Sequence, residues 1–521
     1  MGDCPEDVIV PVILLPGIMG SRLKNSLNQT VWDPDSKSLM LGLYGTFSGG
    51  VVGPDLLRIR ESHNVRLAAS VRKAVLIGDK FDKTYLSPIE SKTVKDGPIS
   101  IEGYDDDIND RNWSSVSLDT YGQIMRQIES AFPGELNRLV KRANPKFNLV
   151  KMPVYACGYN WSQSNHDSGK AVAKRIKEWV KKARDWADAN NAQCPGAIVV
   201  THSMGGFVAR SAALSHGAAG DILTVISTVM PTDGAPATYK RFHFGFENPA
   251  WDAIGKAGYV VMGRQGEIVT AILGHMPGAQ ELLPNKQYRD NSGEPRWLTI
   301  RNPDRNLIGN LISGPQSYAA LPKSNPYTEI YRREDRMWRA ANPEWLFPEG
   351  LSSGGNFLKP FTEFAKHNKT AEAWHDHIIK AGNFHELTYM CHSGDPSLKT
   401  YDHISWRPDK VLGSYGRSID EDDVTLESGE TPDYHRETVF WGDESDKHVE
   451  GPYLAPDWKI DPAAGTGDTT VPVSASSYFV SSDRRTVHNP GYEHEPAIKD
   501  ATVINWVREK MIHVLGNCEL Y

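Results

Sequence analysis

The run AIVVTHSMGGFVARSAALSHG, residues 197–217, constrains the fold of this chain more than any other stretch. It opens on apolar, mostly β-branched residues, the composition of a strand buried on both faces. Ser203 follows, then the glycines Gly205 and Gly206, then a segment of helical composition that stops at Gly217. A serine at the apex of such a strand-to-helix turn has a strained backbone and an Oγ lifted clear of the chain. The turn forms when the residues two before and two after the serine are small enough for strand and helix to pass closely. Those positions are Thr201 and Gly205, so the second requirement is met in full and the first by a threonine. The alternative role for Ser203 is that of an ordinary N-cap to the helix.

Around this turn, strand-like and helix-like runs alternate. VIVPVILLPG (8–17) and FNLVKMPVYA (147–156) read as buried strands. Between the second of these and the turn, residues 168–191 place Val172, Ile176, Trp179, Ala183 and Trp186 on one stripe opposite lysines and arginines, the pattern of a crossover helix packed on a sheet. The alternation predicts a mostly parallel central sheet with helices on its faces, the α/β class. The character changes after ILTVISTVMPTDGAP (222–236), and a stretch rich in Trp, Pro and helical pattern runs until strand character resumes at FHELTYMCHSG (384–394). The expected organisation is a core formed by 1–236 and 385–521, interrupted by a large, mainly helical cap or lid at 237–384. The segment EWLFPEGLSSGGNFLKPF (344–361) has large apolar residues and glycine hinges suited to a mobile lid. The same residues are equally consistent with a cap packing its own core.

At 521 residues, 39% hydrophobic and 23% charged, the chain has the make-up of a globular protein of one enlarged domain or several smaller ones. Its net charge is -8 and its 57 basic residues are spread along the sequence, so no dense cationic run offers the stripe that nucleic acid requires. The N-terminal apolar run is broken by Pro11 and preceded by MGDCPED, acidic where a secretory signal is basic. It is also shorter than the roughly 20 apolar residues of a membrane span. The expected location is therefore the cytoplasm, or outside the cell by a route that needs no signal peptide. Five cysteines, an odd number without a CxxC pair, point to free thiols. The acidic run at 420–423 lacks the alternating ligands and glycine of a calcium loop and reads as a solvated loop.

A serine nucleophile needs a base, an acid to orient that base, and amides aimed at the developing oxyanion. One amide belongs to the residue after the serine, Met204, and a second comes from a loop after an early strand. LLPGIMGSRL (14–23) supplies such a loop, with Ile18 as the expected donor. Downstream, GTGDTTVP (465–472) puts Asp468 in a glycine-rich turn, and His494 follows in a loop ahead of an amphipathic C-terminal helix. His488 is the rival histidine, set in the strand-like run RRTVHNP. The histidine beside the serine, His202, is read as a filler of the turn without a proton-transfer role.

In order along the chain, PGIMGSRL, YACGYNW, THSMGG, PTDGAPATYK, MPGAQELLPN and GTGDTTVP resemble the motifs of the α/β-hydrolase superfamily. The likeness is to the branch of lecithin:cholesterol acyltransferase, phospholipid:diacylglycerol acyltransferase and bacterial lipases, with PGAP1-like lipases as near relatives. Three positions depart from the pattern: Thr201, Asn160 and Gly278. The resemblance implies an α/β-hydrolase fold with Ser203 as nucleophile, Asp468 as acid, His494 as base, and Ile18 and Met204 as oxyanion donors. It implies hydrolysis of lipid carboxylic esters, as a lipase or phospholipase, through an acyl-enzyme with no metal or organic cofactor. An acyltransferase with an alcohol acceptor and a catalytically degenerate binding protein are the alternative readings. The expected partners are a lipid or phospholipid substrate and a transient membrane surface. If the chain is a toxin of the type VI secretion machinery, an immunity protein joins them.

Overall fold

A computed structural model describes residues 6–44, 65, 67–77, 85–90, 92–131, 134–247, 261–263, 265–301, 317–334, 336, 338–348, 360–380, 384–408, 458–476 and 482–518. The acidic run at 420–423 and the centre of the lid candidate, 349–359, lie outside the described residues. At the middle of the fold is a six-stranded sheet in the order Arg485–His488, Thr388–Ser393, Ile222–Thr228, Ala197–His202, Val12–Leu15, Val154–Ala156. Every pairing in it is parallel. The strands Ala197–His202 and Val12–Leu15 are buried at every position, as their unbroken apolar runs require once helices cover both faces.

The two N-terminal runs read as single strands are each split in two. Glu6–Ile9 and Phe147–Lys151 pair in a separate three-stranded sheet, while Val12–Leu15 and Val154–Ala156 belong to the central one. The breaks fall at Pro11 and Pro153, which have no N–H to give to a ladder. Their carbonyls stay in use: Ile198 N–H donates to Pro11 O and Val12 N–H to Pro153 O, both at 2.9 Å. Backbone pairing therefore continues past both breaks.

The crossover helix forms as expected, over Asn165–Ala189, with the Ser164 side chain accepting from the Asp167 amide. Val172, Ile176, Trp179 and Ala183 are buried on its inner face. Trp186 is half-buried, its ring edge-on to Tyr104 and 5.0 Å from the Lys151 ammonium. The C-terminal helix spans Ala501–Gly516. Among the described residues no helix is long and apolar enough to cross a membrane. Cys157, Cys194 and Cys391 are free thiols.

Of the two runs in the insertion with helical pattern, 358–382 forms the helix Pro360–Lys380, whereas 325–342 forms only the short helical turn Tyr327–Tyr331 among its described residues; further helices stand at Pro236–Phe244 and Gly266–Leu273. The insertion also contains strand, which its sequence does not announce. Leu298–Arg301 and Ser317–Leu321 pair antiparallel and join Ile404–Pro408 and Trp458–Ile460 in a four-stranded mixed sheet. The cap thus draws on residues beyond 384, on the far side of the core strand Thr388–Ser393. Strands of four or five residues give too short a pattern to stand out from helix. Trp297, Trp338 and Trp406 are fully buried. Tyr239 ties them together: its ring lies edge-on to Trp297, its hydroxyl donates to Trp338 O at 2.9 Å, and Trp406 Nε1 donates to that hydroxyl at 3.1 Å. These tryptophans form the cap's own core.

A buried acid joins cap to core. Glu281 accepts from Asn165 N–H at 2.8 Å and from the Asn165 amide side chain at 2.6 Å, so it caps the crossover helix. Burial pushes its carboxyl pKa up from 4.5 to about 8, against the lowering effect of these bonds. A raised acid holds a proton that the unfolded chain releases. Its stabilising contribution is full below pH 4.5 and is lost as pH rises through about 8. Glu281→Gln keeps an acceptor for Asn165 and removes the titration. The expected result is a Tm gain over the parent chain that is larger at pH 8 than at pH 5, read by thermal denaturation at both.

Candidate active site

Ser203 sits directly after the strand Ala197–His202 with φ at 52°, left-handed backbone that a non-glycine residue adopts only under constraint. The constraint is visible on both sides. Its N–H donates to Thr228 O at 2.9 Å and its carbonyl accepts from Gly206 N–H at 3.0 Å. Helix Gly205–Ser215 then passes so close to the neighbouring strand that a Cβ at Gly205 would lie 2.6 Å from both Leu15 O and Pro16 O. Thr201 is accommodated because its side chain is engaged sideways, with Oγ1 donating to Ser227 Oγ at 2.9 Å in the adjacent strand.

Asp468 and His494 meet this serine from the other half of the chain. His494 Nε2 lies 2.8 Å from Ser203 Oγ and His494 Nδ1 lies 2.7 Å from Asp468 Oδ2. A carboxylate only accepts, so Nδ1 carries the proton and Nε2 accepts from the serine hydroxyl. The second carboxylate oxygen, Oδ1, accepts from the amides of Thr470 at 3.0 Å and Val471 at 2.6 Å. The turn around Asp468 is pinned to the end of the strand Thr388–Ser393, whose Ser393 hydroxyl donates to Gly467 O at 2.8 Å. Its next residue, Thr469, is also left-handed, with φ at 75°. Burial works against protonation of His494, but the charge and hydrogen bond of Asp468 outweigh it and raise its pKa above 6.5. His488 is not part of this group; its Nδ1 lies 2.9 Å from Tyr492 Oη.

The amides of Ile18 and Met204 donate no hydrogen bond among the described residues. Next to them, Gly17 N–H donates to Tyr121 Oη at 2.9 Å. Tyr121 Oη is 3.1 Å from His202 Nδ1, and His202 Nε2 is 3.0 Å from the carbonyl of His494. A carbonyl cannot donate, so His202 Nε2 bears the proton and its Nδ1 accepts from Tyr121. His202 is thus more than a filler. It ties the loop at Gly17 to the backbone of His494 through one tyrosine. Tyr121 carries no local motif, and nothing in the sequence links it to residues so far along the chain.

Gly17, Ile18, Met19, Ser203, Leu282, Val471 and His494 line one cleft, with Arg241 and Glu495 also on its wall. The cleft is partly open to solvent and the space within it is about 50 Å³, room for the reacting ester group while the rest of a substrate extends through the opening. The site stands at the carboxyl ends of the parallel strands, where open α/β sheets place their ligands.

The chain has the α/β-hydrolase fold. Residues 155–254 match the family model of the PGAP1-like alpha/beta domain, a span that contains Ser203. A chain from the crystal structure of the Tle4-Tli4 complex superimposes with a TM-score of 0.66 at 22% identity, covering 98% of this chain and 99% of that one. No curated protein matches the chain in sequence. Two departures from the α/β-hydrolase motif pattern have local causes. Asn160 is structural: Nδ2 donates to Leu86 O at 3.0 Å, and Oδ1 accepts from the Ser162 hydroxyl at 2.6 Å. Gly278 is forced by packing, since a Cβ there would lie 2.5 Å from Gln163 O.

Tyr121→Phe leaves Gly17 N–H without its acceptor and His202 Nδ1 without its donor in a buried setting. The expected cost is about 1–3 kcal/mol of stability, measured by urea unfolding.

Proposed function

We propose that this protein is a serine esterase that hydrolyses the carboxylic esters of lipids, a lipase or phospholipase. The observation that carries the reading is the hydrogen-bonded series Ser203 Oγ, His494 Nε2, His494 Nδ1, Asp468 Oδ2, each link under 3 Å. His494 takes the serine proton as Oγ attacks the ester carbonyl, and Asp468 holds the ring tautomer and stabilises the imidazolium. The amides of Ile18 and Met204, unspent on other partners, receive the oxyanion, a contribution on the order of 3 kcal/mol per donor. The C–O bond of the ester then breaks, and His494 passes its proton to the departing alcohol. Water, activated by the same histidine, attacks the acyl-serine and releases the fatty acid. The apolar wall of Ile18, Met19, Leu282 and Val471 suits an acyl ester rather than a polar one.

The end-to-end likeness to a chain solved in the Tle4-Tli4 complex supports a second element of the proposal. This esterase is a lipase effector delivered by the type VI secretion machinery, meets its lipid at a membrane surface, and has an inhibitory immunity protein as its cognate partner.

A fluorophosphonate probe is expected to label the wild type and not Ser203→Ala. Mass spectrometry of mixed lipids is expected to show free fatty acid and lysolipid or monoacylglycerol with the wild type alone. Labelling without any lipid product would overturn the lipid assignment.

The base form of His494 is the active one, and its pKa lies above 6.5, so activity falls on acidification from a higher pH than an unperturbed histidine gives. Asp468→Asn removes the carboxylate that raises it. The acid limb of the kcat/KM profile should move to lower pH while kcat drops by about 10⁴-fold, measured over pH 5 to 9.

A further inference from the structure

Two charged side chains in the cleft are not used by the chemistry. Arg241, on helix Pro236–Phe244, has Nε 2.9 Å from Glu247 Oε2 and donates from Nη2 to Thr470 Oγ1 at 3.1 Å. The ring of Phe246 lies 4.8 Å from its guanidinium carbon. Its other terminal nitrogen, Nη1, has no hydrogen-bond partner among the described residues. Lys240 shares the same carboxylate, with Nζ 3.0 Å from Glu247 Oε1, so Glu247 is divided between two cations and leaves the Nη1 edge of Arg241 uncovered. The Thr470 contact also fixes the guanidinium relative to the triad, because the Thr470 amide is bonded to Asp468.

Glu495 directly follows His494 and lines the same cleft. Its carboxylate makes no hydrogen bond to another residue among the described residues, and it forms no ion pair with Arg241, although each feels the other's charge. Burial raises its carboxyl above the ordinary 4.5, a penalty that an incoming cation relieves. The cleft therefore presents a guanidinium edge and a separate carboxylate beside the reacting serine, each with bonding capacity left over. An arginine edge of this kind matches phosphate oxygens, and a carboxylate matches an ammonium. A phosphodiester joined to an ammonium is the head group of a zwitterionic glycerophospholipid, in which the phosphate hangs on the same glycerol as the scissile ester.

We propose that Arg241 and Glu495 form a head-group subsite for zwitterionic glycerophospholipid, the phosphate on the Nη1 edge of Arg241 and the ammonium on the Glu495 carboxylate. The assignment rests on the esterase reading above. An acylglycerol leaves both groups unfilled, and an anionic phospholipid without an amine leaves Glu495 unpaired beside a second negative charge.

The test is steady-state hydrolysis in mixed micelles of three lipids with the same acyl chains: phosphatidylethanolamine, phosphatidylglycerol and diacylglycerol. The full chain is compared with Arg241→Gln, Arg241→Lys and Glu495→Gln, with Ser203→Ala as the blank and Tm as the folding control. Arg241→Gln should lower kcat/KM for both phospholipids by about 10-fold or more, chiefly through KM, and should lower diacylglycerol turnover far less. Arg241→Lys should fall between, since it keeps the charge and loses the fork. Glu495→Gln should narrow the preference for phosphatidylethanolamine over phosphatidylglycerol. Equal losses on all three lipids in Arg241→Gln, or an unchanged lipid ratio in Glu495→Gln, would overturn the subsite. So would a wild type that cleaves diacylglycerol and neither phospholipid, which leaves the esterase reading standing. No Ser203-dependent product from any lipid would overturn the esterase reading itself.

Discussion

The close passage of helix Gly205–Ser215 over the carbonyls of Leu15 and Pro16 is the constraint on which the rest of this molecule depends. With 2.6 Å between those oxygens and the place a Cβ would occupy, the helix can start there only on glycine. The sharp entry holds Ser203 in left-handed backbone. A relaxed turn would lower the serine toward the sheet and out of reach of His494. The strain, which costs on the order of 1–3 kcal/mol, is sustained by the largely buried strands on either side. Core packing and the geometry of the site are in this sense one problem.

Much of this was legible in the sequence because strand, turn and helix lie next to each other at 197–217. The same holds for Asp468, whose turn is local, and for His494, which precedes a helix with a clear apolar pattern. Chain order did the rest, since in the motif pattern that this chain resembles a carboxylate and then a histidine follow the serine turn. The links that stayed hidden are of another kind. Tyr121, His202 and the His494 carbonyl form a bridge between residues far apart in sequence, and no local pattern encodes it. Arg241 likewise reads in sequence as one basic residue of a cap helix, and only the fold sets it against Thr470.

The prolines at 11 and 153 show how composition misleads at a finer scale. Apolar runs that look continuous each lose one N–H, and each run is divided between two sheets. The cap errs in the opposite direction. Its strands are too short to show as period-two patterns, and their partners lie beyond the next core strand. Aromatic richness there signals Trp297, Trp338 and Trp406 packed around Tyr239, a cap with an interior of its own.

That interleaved pairing has an architectural consequence. The four-stranded sheet takes two strands from before the core strand Thr388–Ser393 and two from after it. The cap is therefore not a cassette that one excision removes or one graft replaces. Exchanging it between relatives means moving two separate stretches together, with a strand of the central sheet left in place between them. Drift in cap and core is coupled through that shared thread, and recombination at a single pair of crossover points would leave both half-built.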